Sequence, residues 1–394
     1  MVTFSQYPAD PRPRRAVDAL LKEGMSVDLV CQGDGTEPKR EARKGLDVRR
    51  ITLANRRGGR LLYAYQYSAF LLISSALLAL RAFRRRYDLV YVHNMPDVLV
   101  FCGLVPKLLG AKVILDMHDP MPELMTTIFG HGGDSFTVRL LKRFERWSMA
   151  FADAVITVNA ACKRIFASRS CPDAKITVVM NSPDEEIFPL RPPQPTYLTE
   201  DTPARPFVVM YHGSLVERNG LDLAIEAFAR VRETVPAAEL RIYGRSTPFL
   251  QRMMREIQER GLQDAAFFLG QKRLDELVVE IGRCDVGVIP NHHNAFTEIN
   301  TPTRIFEYLA IGKPVIVPRT SGITDYFGPR SLLFFEPGNS EDLAERIEYA
   351  YAHPQDLAET VSRGQQVYLE HTWSDQKAAL LDVAHGLLNG DSPR

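Results

Sequence analysis

The sequence has no net charge: 48 Lys and Arg balance 48 Asp and Glu over 394 residues. Bulk electrostatics therefore give no attraction for nucleic acid, and no nucleic-acid partner is expected. Cysteine is scarce. The five (Cys31, Cys102, Cys162, Cys171 and Cys284) are odd in number, scattered, and form no C-x-x-C pair. Reduced thiols in a cytoplasm are expected, and a disulfide scaffold or thiolate zinc site is not. The first fifteen residues, MVTFSQYPADPRPRR, lack the apolar stretch of a secretory leader, so none is expected there. A clean membrane-length apolar run is also missing. Leu61 to Leu80 are 20 residues without a charge, long enough to span a bilayer, but Tyr63, Tyr65, Gln66, Tyr67, Ser68, Ser74 and Ser75 dilute them. Arg56, Arg57 and Arg60 precede the run, and Arg81, Arg84, Arg85 and Arg86 follow. A largely buried domain helix, at most touching a membrane surface, is the expectation.

What is present fits two ordinary globular domains of roughly 150–200 residues each. The zero charge hides an asymmetry: residues 1–190 hold 27 Lys and Arg against 20 Asp and Glu, and the remainder 21 against 28. A basic first half suits anionic lipid heads or a phosphorylated acceptor. Chance among solvated side chains is the plainer alternative.

Short apolar or β-branched runs alternate with helical patterns, which predicts parallel sheets with crossover helices. The clearest strands of the first half are Leu89–His93 and Lys112–Met117, with helices expected over 12–22, 61–86, 98–109, 136–151 and 160–167. The Pro-rich stretch from Pro189 to Pro195 then reads as a linker, after which the pattern restarts at Phe207–His212. The domains are drawn as 1–188, a linker 189–205, a second domain 206–372, and a C-terminal helix and tail over 373–394. Parallel sheets bind ligands at the carboxyl ends of their strands. The expected fold class is α/β, two Rossmann-like domains facing across a cleft, with the last helix crossing back to the first domain.

The most informative segment runs from Asn300 to Pro318, NTPTRIFEYLAIGKPVIVP. Thr301 is placed to cap a helix that begins at Pro302, and Gly312 to end it. The N-terminal amides, from Thr303 onward, suit a diphosphate. Arg304 adds a fixed cation with a bidentate fork, and Glu307 lies on the same face to accept hydrogen bonds from ribose hydroxyls. Upstream, Tyr211-His-Gly-Ser-Leu-Val-Glu-Arg-Asn-Gly forms a strand followed by a glycine turn into a helix, where Gly213 permits close backbone approach to phosphate. Arg241-Ile-Tyr-Gly-Arg245 ends the next strand, and Gly270-Gln-Lys-Arg273 follows as a candidate loop for the nucleotide base.

The run PTRIFEYLAIGKPVIV resembles the signature of the retaining glycosyltransferases of family 4, which share the two-domain GT-B architecture. The resemblance extends over nearly the whole chain, including Phe151-Ala-Asp-Ala-Val-Ile-Thr157 and Met180-Asn-Ser-Pro183. It implies that Glu307 binds the donor ribose and that the preceding helix start holds the diphosphate. The family carries a second glutamate eight positions earlier, where this chain has Ile299, flanked by Glu298 and Asn300. Arginine and lysine that accompany the two glycines of the first loop are replaced here by Ser214 and Asn219, leaving Arg218 as the phosphate cation. Tyr243 and Gly244 are expected near the base. In the first domain the resemblance implies that His118, at the end of a strand among Asp116, Asp119 and Glu123, touches the transferring sugar. His93 and Asn94, ending the neighbouring strand, and Asp10 and Arg12, in the Asp-Pro-Arg run of the first loop, are acceptor-side candidates.

The expected activity is transfer of a sugar from a nucleotide-diphosphate donor with retention. His118, Glu298, Arg218 and Arg304 are the catalytic candidates. Gly213, Ser214, Asn219, Tyr243, Gly244, Thr303 and Glu307 complete the donor site. No Asp-x-Asp lies at a strand end, so neither metal nor cofactor is expected. The acceptor is read as a saccharide or lipid-linked saccharide, as in surface polysaccharide assembly, with peripheral contact at the inner face of a cell membrane. A soluble acceptor, a nucleotide-sugar epimerase and a non-catalytic sugar-binding homologue are the alternatives.

Overall fold

The computed structural model describes residues 1–53, 60–129, 135–193 and 205–390. Most of the expected linker, residues 194–204, lies outside them, as do Arg56 and Arg57. The chain forms two compact units, Met1–Asn181 with Asp375–Arg394, and Ser182–Ser374. Each is built on its own sheet.

The sheet of the first unit uses β1 (Val2–Gln6), β2 (Val27–Gly33), β3 (Arg40–Arg43), β4 (Leu46–Thr52), β5 (Leu89–His93), β6 (Lys112–Met117), β7 (Ala154–Thr157) and β8 (Ile176–Val178). They lie in the order β3-β4-β2-β1-β5-β6-β7-β8. All pairs are parallel except β3 with β4. The central strands are apolar throughout because helices cover both faces. On one face Ala16, Val17 and Leu20 of helix Pro11–Lys22 pack with Leu380, Ala384 and Leu387 of the C-terminal helix Trp373–Asn389, over Tyr91, Ile114 and Ile156. Residues 375–394 thus belong to the first unit, as expected.

The alternate strand residues, Val90 and Val113, meet the short helical segment Asp97–Gly103 on the other face. That segment is flanked by helices Arg60–Ala82 and Phe136–Phe151. Among the described residues no helix is long and apolar enough to cross a membrane. Helix 60–82 is nevertheless less buried than its composition predicts, since Tyr65, Leu72 and Leu80 are exposed.

The second unit contains β9 (Phe207–His212), β10 (Ala238–Tyr243), β11 (Ala266–Phe268), β12 (Val286–Val288), β13 (Val315–Pro318) and β14 (Leu333–Phe335), in the order β11-β10-β9-β12-β13-β14. Every pair is parallel. Its core sets Val209, Tyr211 and Ile242 against Leu221, Ile225 and Phe228 of helix Leu221–Thr234. Strand order reverses beside β9, and the site lies at its carboxyl end.

Candidate active site

In the second unit, β9 and β10 pair with His212 opposite Tyr243, which brings Gly213 and Gly244 side by side. A Cβ on Gly244 would lie 2.3 Å from the Gly213 carbonyl oxygen, so only glycine fits. Gly213 has φ +129°, and a Cβ there would lie 3.2 Å from the Arg304 side chain. Gly220, at φ +68°, starts helix 221–234; a Cβ on it would meet the Pro290 carbonyl oxygen at 1.8 Å. This close approach fixes the loop after β12. There the His292 N–H donates to the Arg218 carbonyl oxygen (3.0 Å), and Asn291 faces Arg304.

Arg304 lies in the first turn of helix Thr303–Ala310. Its guanidinium donates to the His212 carbonyl (2.7 Å) and to Asn291 Oδ1 (3.2 Å), and it lies over the Tyr211 ring. The helix cap is Pro302, which has no side-chain hydrogen bond to the first turn. Thr301, expected to cap, instead donates its hydroxyl to the Gly322 carbonyl (2.6 Å), because chain direction is already set by the proline. The first-turn amides therefore have no capping side chain and carry the positive end of the helix dipole. Gly312 does end the helix, at φ +75° with a Cβ position 2.2 Å from the Pro192 carbonyl.

Glu307, one turn along, meets His212 Nε2 at 2.7 Å, and the other ring nitrogen of His212 lies 2.8 Å from the Tyr308 hydroxyl. Tyr308 in turn donates to the Met210 carbonyl (2.9 Å). His212 is buried and fixes the carboxylate. The sequence contained a signal for it, a histidine ending an apolar strand just before glycine. Arg218 lies with its guanidinium over the Phe296 ring, and Asn219 donates to the Ser214 carbonyl (2.8 Å), closing that turn.

Two donor-site candidates do other work. Tyr243 is buried and its hydroxyl donates to Glu280 (2.7 Å), so only its backbone remains at the strand end. Glu298 accepts from the Ser321 amide (3.0 Å) and pairs with His293 (3.0 Å), which ties its carboxylate to the following turn.

The first unit gathers a second cluster. The β5–β6 register sets His93 opposite Asp116, so their side chains share a face with Tyr91. Asp116 accepts from the Tyr91 hydroxyl (2.8 Å) and from Arg12 at both oxygens, the shortest contact being 2.6 Å. Burial alone would raise the Asp116 carboxyl, but the Arg12 guanidinium overrides it and holds the group well below the usual range. Arg12 also donates to the Val179 carbonyl (3.0 Å) and Asn181 (2.9 Å). Its guanidinium is therefore an internal counter-ion to Asp116, where the first loop was expected to offer it to the acceptor. Asp10 accepts from the Arg12 amide (3.1 Å) and caps helix 11–22.

His93 Nδ1 lies 2.9 Å from His118 Nε2 and 3.3 Å from Asp116 Oδ2. Burial pushes His93 down to about 4, so it is neutral near pH 7. Its Nε2 is buried and has no hydrogen-bond partner among the described residues. A buried N–H without an acceptor is the costlier state, so the single proton belongs on Nδ1. His118 Nε2 then accepts, which leaves Nδ1 as the nitrogen not engaged with His93. The arrangement presents His118 as a hydrogen-bond donor with fixed orientation. Asn94 supports it by accepting from the His118 amide (2.8 Å) while donating to Asp97 (3.0 Å) and to the Asp119 carbonyl (2.9 Å).

The ligand-type atoms of His93, Asp116 and His118 lie within 4.8 Å of one another. A metal among them would compete with Arg12 for a carboxylate already neutralised. The residues fit a hydrogen-bonded relay better than a cation site.

Two Rossmann-like units, one with an uncapped helix start beside a glycine turn and a cation, define a glycosyltransferase of the GT-B fold. Residues 9–182 match the model of the glycosyl transferase 4-like domain, and residues 199–367 that of glycosyl transferases group 1. The two matches between them span most of the chain, which belongs to the group 1 glycosyltransferases of family 4. Among curated relatives, it is 26% identical over 258 residues to the putative colanic acid biosynthesis glycosyltransferase WcaL of Escherichia coli, covering 64% of this chain and 61% of that one. It is 26% identical over 186 residues to a glycogen synthase of Mycobacterium tuberculosis, covering 47% and 42%. The matches thus span less than two thirds of either relative.

Among solved structures, sucrose-phosphate synthase of Thermosynechococcus elongatus superposes with TM-score 0.77 at 18% identity, over 99% of both chains. HepE of Anabaena in complex with UDP-glucose gives 0.71 at 17% identity, over 98% of this chain and 99% of that one.

Proposed function

We propose that the chain transfers a sugar from a nucleoside diphosphate donor to a saccharide or lipid-linked saccharide, in the assembly of a surface polysaccharide or glycoconjugate. The observation that carries this reading is the position of Arg304. It is held by His212 O and Asn291 at the uncapped start of helix 303–310, against Gly213. That is a fixed cation beside a helix start whose cap residue supplies no side-chain acceptor, the chemistry that binds a diphosphate. The UDP-glucose complex of HepE supports a donor of this class, and the likeness to WcaL supports a role in polysaccharide biosynthesis.

In the proposed reaction an acceptor hydroxyl attacks the anomeric carbon on the face the phosphate leaves. The new C–O bond forms as the bond to the β-phosphate oxygen breaks, and that oxygen takes the acceptor proton. Arg304, Arg218 and the Thr303 amide offset the charge on the leaving diphosphate, Glu307 holds the ribose, and the His118 Nδ1–H donates to the sugar. Glu298 and Asn300 remain the candidates for the missing family glutamate. Asn94 and Asp119 border the acceptor side. Five free cysteines, four of them buried, accord with a cytoplasmic setting.

Thermal unfolding with a panel of nucleotide sugars tests the donor half, since a bound donor raises the melting temperature by mass action. Proton NMR of the product then reads the anomeric configuration. Inversion, acceptor-free conversion of the donor sugar, or an Arg304→Ala variant that binds donor and turns over normally would each overturn the reading.

A further inference from the structure

The outer helical layer of the first unit places large apolar side chains on its solvent face and polar ones beneath. Helix 60–82 buries Gln66, Phe70, Ser74 and Leu78 at four-residue spacing, with Gln66 and Ser74 facing the protein interior. Its opposite stripe carries Leu72, 69% exposed, and Leu80, and the stripe continues to Phe83, 74% exposed, just beyond the helix end. A helix packed on a sheet and bathed in water shows the reverse. Helix 136–151 repeats the pattern. It buries Glu145, which is ion-paired to Arg169, and turns Phe136 and Trp147 outward.

The feature is concentrated. Of the 19 large apolar side chains exposed among the described residues, 12 lie between Tyr65 and Trp147. Leu108, 78% exposed, ends the short helix Leu104–Leu108, which follows that segment and packs on helix 60–82. Exposed apolar area gathered in one layer marks a binding surface.

The charges on this layer have one sign. Arg139, Arg143 and Arg146 share the outer stripe of helix 136–151 with Trp147, and the Arg143 guanidinium lies over its ring at 5.2 Å. Arg84, Arg85 and Arg86 are exposed where helix 60–82 ends. Among the described residues these two helices contain a single carboxylate, Glu145, and it is buried. Cations at the rim of an apolar face, with an indole among them and no exposed carboxylate on either helix, complement an anionic lipid surface. Long arginine side chains reach headgroups while their stems lie on hydrocarbon.

We infer that helices 60–82 and 136–151, with Leu108 beside the first, form a peripheral docking surface for an anionic lipid bilayer. The inference extends the proposed function by naming the surface through which the chain reaches a lipid-linked acceptor. It fails separately from that reading, because vesicle binding is measured with neither donor nor acceptor present.

The test is co-sedimentation of the full chain with vesicles of phosphatidylcholine alone, and of phosphatidylcholine with about a third phosphatidylglycerol. Binding is expected to the anionic vesicles only, and to weaken as salt rises to about 0.5 M. Each surface cation contributes about fivefold to the partition. Arg139→Glu, Arg143→Glu and Arg146→Glu together are therefore expected to lower it at least about a hundredfold. Leu72→Ser with Leu80→Ser is expected to lower it independently. Leu72→Ser with Leu80→Ser should unfold at the wild-type temperature. The triple variant gives up the Arg146 hydrogen bonds to the Arg169 carbonyl (3.0 and 2.8 Å), so its unfolding is read beside its partition, and both should keep the donor-induced thermal shift. Absent binding, equal binding to neutral vesicles, or insensitivity to both variants would overturn the inference. A dimer in ultracentrifugation that Leu72→Ser with Leu80→Ser dissolves would assign the face to a second copy instead, and overturn it equally.

Discussion

His212 Nε2 and Glu307 Oε2 lie 2.7 Å apart, joining the end of β9 to a helix 95 positions later in the chain. The same imidazole meets Tyr308, so two consecutive helical residues are locked by one strand residue. If Glu307 addresses the donor ribose, His212 is what aims it. His212→Leu is expected to raise the donor KM about tenfold with a smaller change in kcat, since a charge-assisted hydrogen bond is worth about 1.5 kcal/mol. His212→Gln should recover part of the loss. Initial-rate kinetics on both variants, with unfolding curves alongside, separate aiming from stability.

The two glycines of the first donor loop should fail in different ways. Gly213→Ala meets only the end of an arginine side chain, so its stability cost comes from the φ of +129° without a backbone clash, while Arg304 is displaced and the donor-induced thermal shift disappears. Gly220→Ala meets backbone at 1.8 Å with φ +68°, and neither partner is free to yield. It is expected to destabilise the second unit by about 3 kcal/mol or more. Denaturant unfolding read beside donor binding distinguishes them. Equal stability of the two variants would contradict the packing described.

Arg12→Met leaves the Asp116 carboxylate buried without its counter-ion, at a cost of about 3–5 kcal/mol. Adding Asp116→Asn should restore much of that stability, because the uncompensated charge is then gone. A double-variant unfolding cycle reads the coupling directly. A purely additive outcome would show that the pair is not coupled in the folded state.

Two buried groups of the first unit pull stability in opposite directions between about pH 4 and 7. Burial pushes His93 down to about 4, so the unfolded chain binds its proton more readily; that contribution is present above pH 6.5 and is lost as pH falls toward 4. Burial pushes the Asp97 carboxyl up to about 7. Its contribution is complete below about pH 4 and is lost as pH rises through 7. Asp97→Asn removes the second effect while keeping an acceptor for Asn94. The variant should gain on the order of 2 kcal/mol over wild type at pH 8 and little at pH 4. Melting temperatures across that range check the sign: a larger gain at the acid end would refute it.

Strands buried on both faces were legible to the residue: β5 and β6 stand where the sequence predicts them, because covering helices leave no polar alternation to blur their ends. The strand pair β3 and β4 was not legible. Arg40, Glu41 and Arg43 give β3 the composition of a loop, which is what a charged edge strand needs to avoid pairing with another chain. Helix Pro354–Leu369 was missed as well, since Gly364 reads as an interruption. In the fold that glycine is a close approach, its Cβ position 2.6 Å from both Leu309 and the Ser331 carbonyl. The same limit applies to the site. Arg304, Gly213 and Glu307 announce themselves through local spacing, whereas Arg12 with Asp116 and His212 with Glu307 are tertiary pairs that no local pattern encodes.

The C-terminal helix completes the first unit after the second has intervened in the chain. Gln376 accepts from the Met180 amide (2.7 Å), and Leu380, Ala384 and Leu387 fill the core beside Val17 and Leu20. On a ribosome the second unit is therefore fully synthesised while the first still lacks one of its core helices. A nascent chain halted near residue 372 would carry a finished β9–β14 sheet and an open apolar patch over Tyr91 and Ile114. For this chain, the unit that is begun first is completed last.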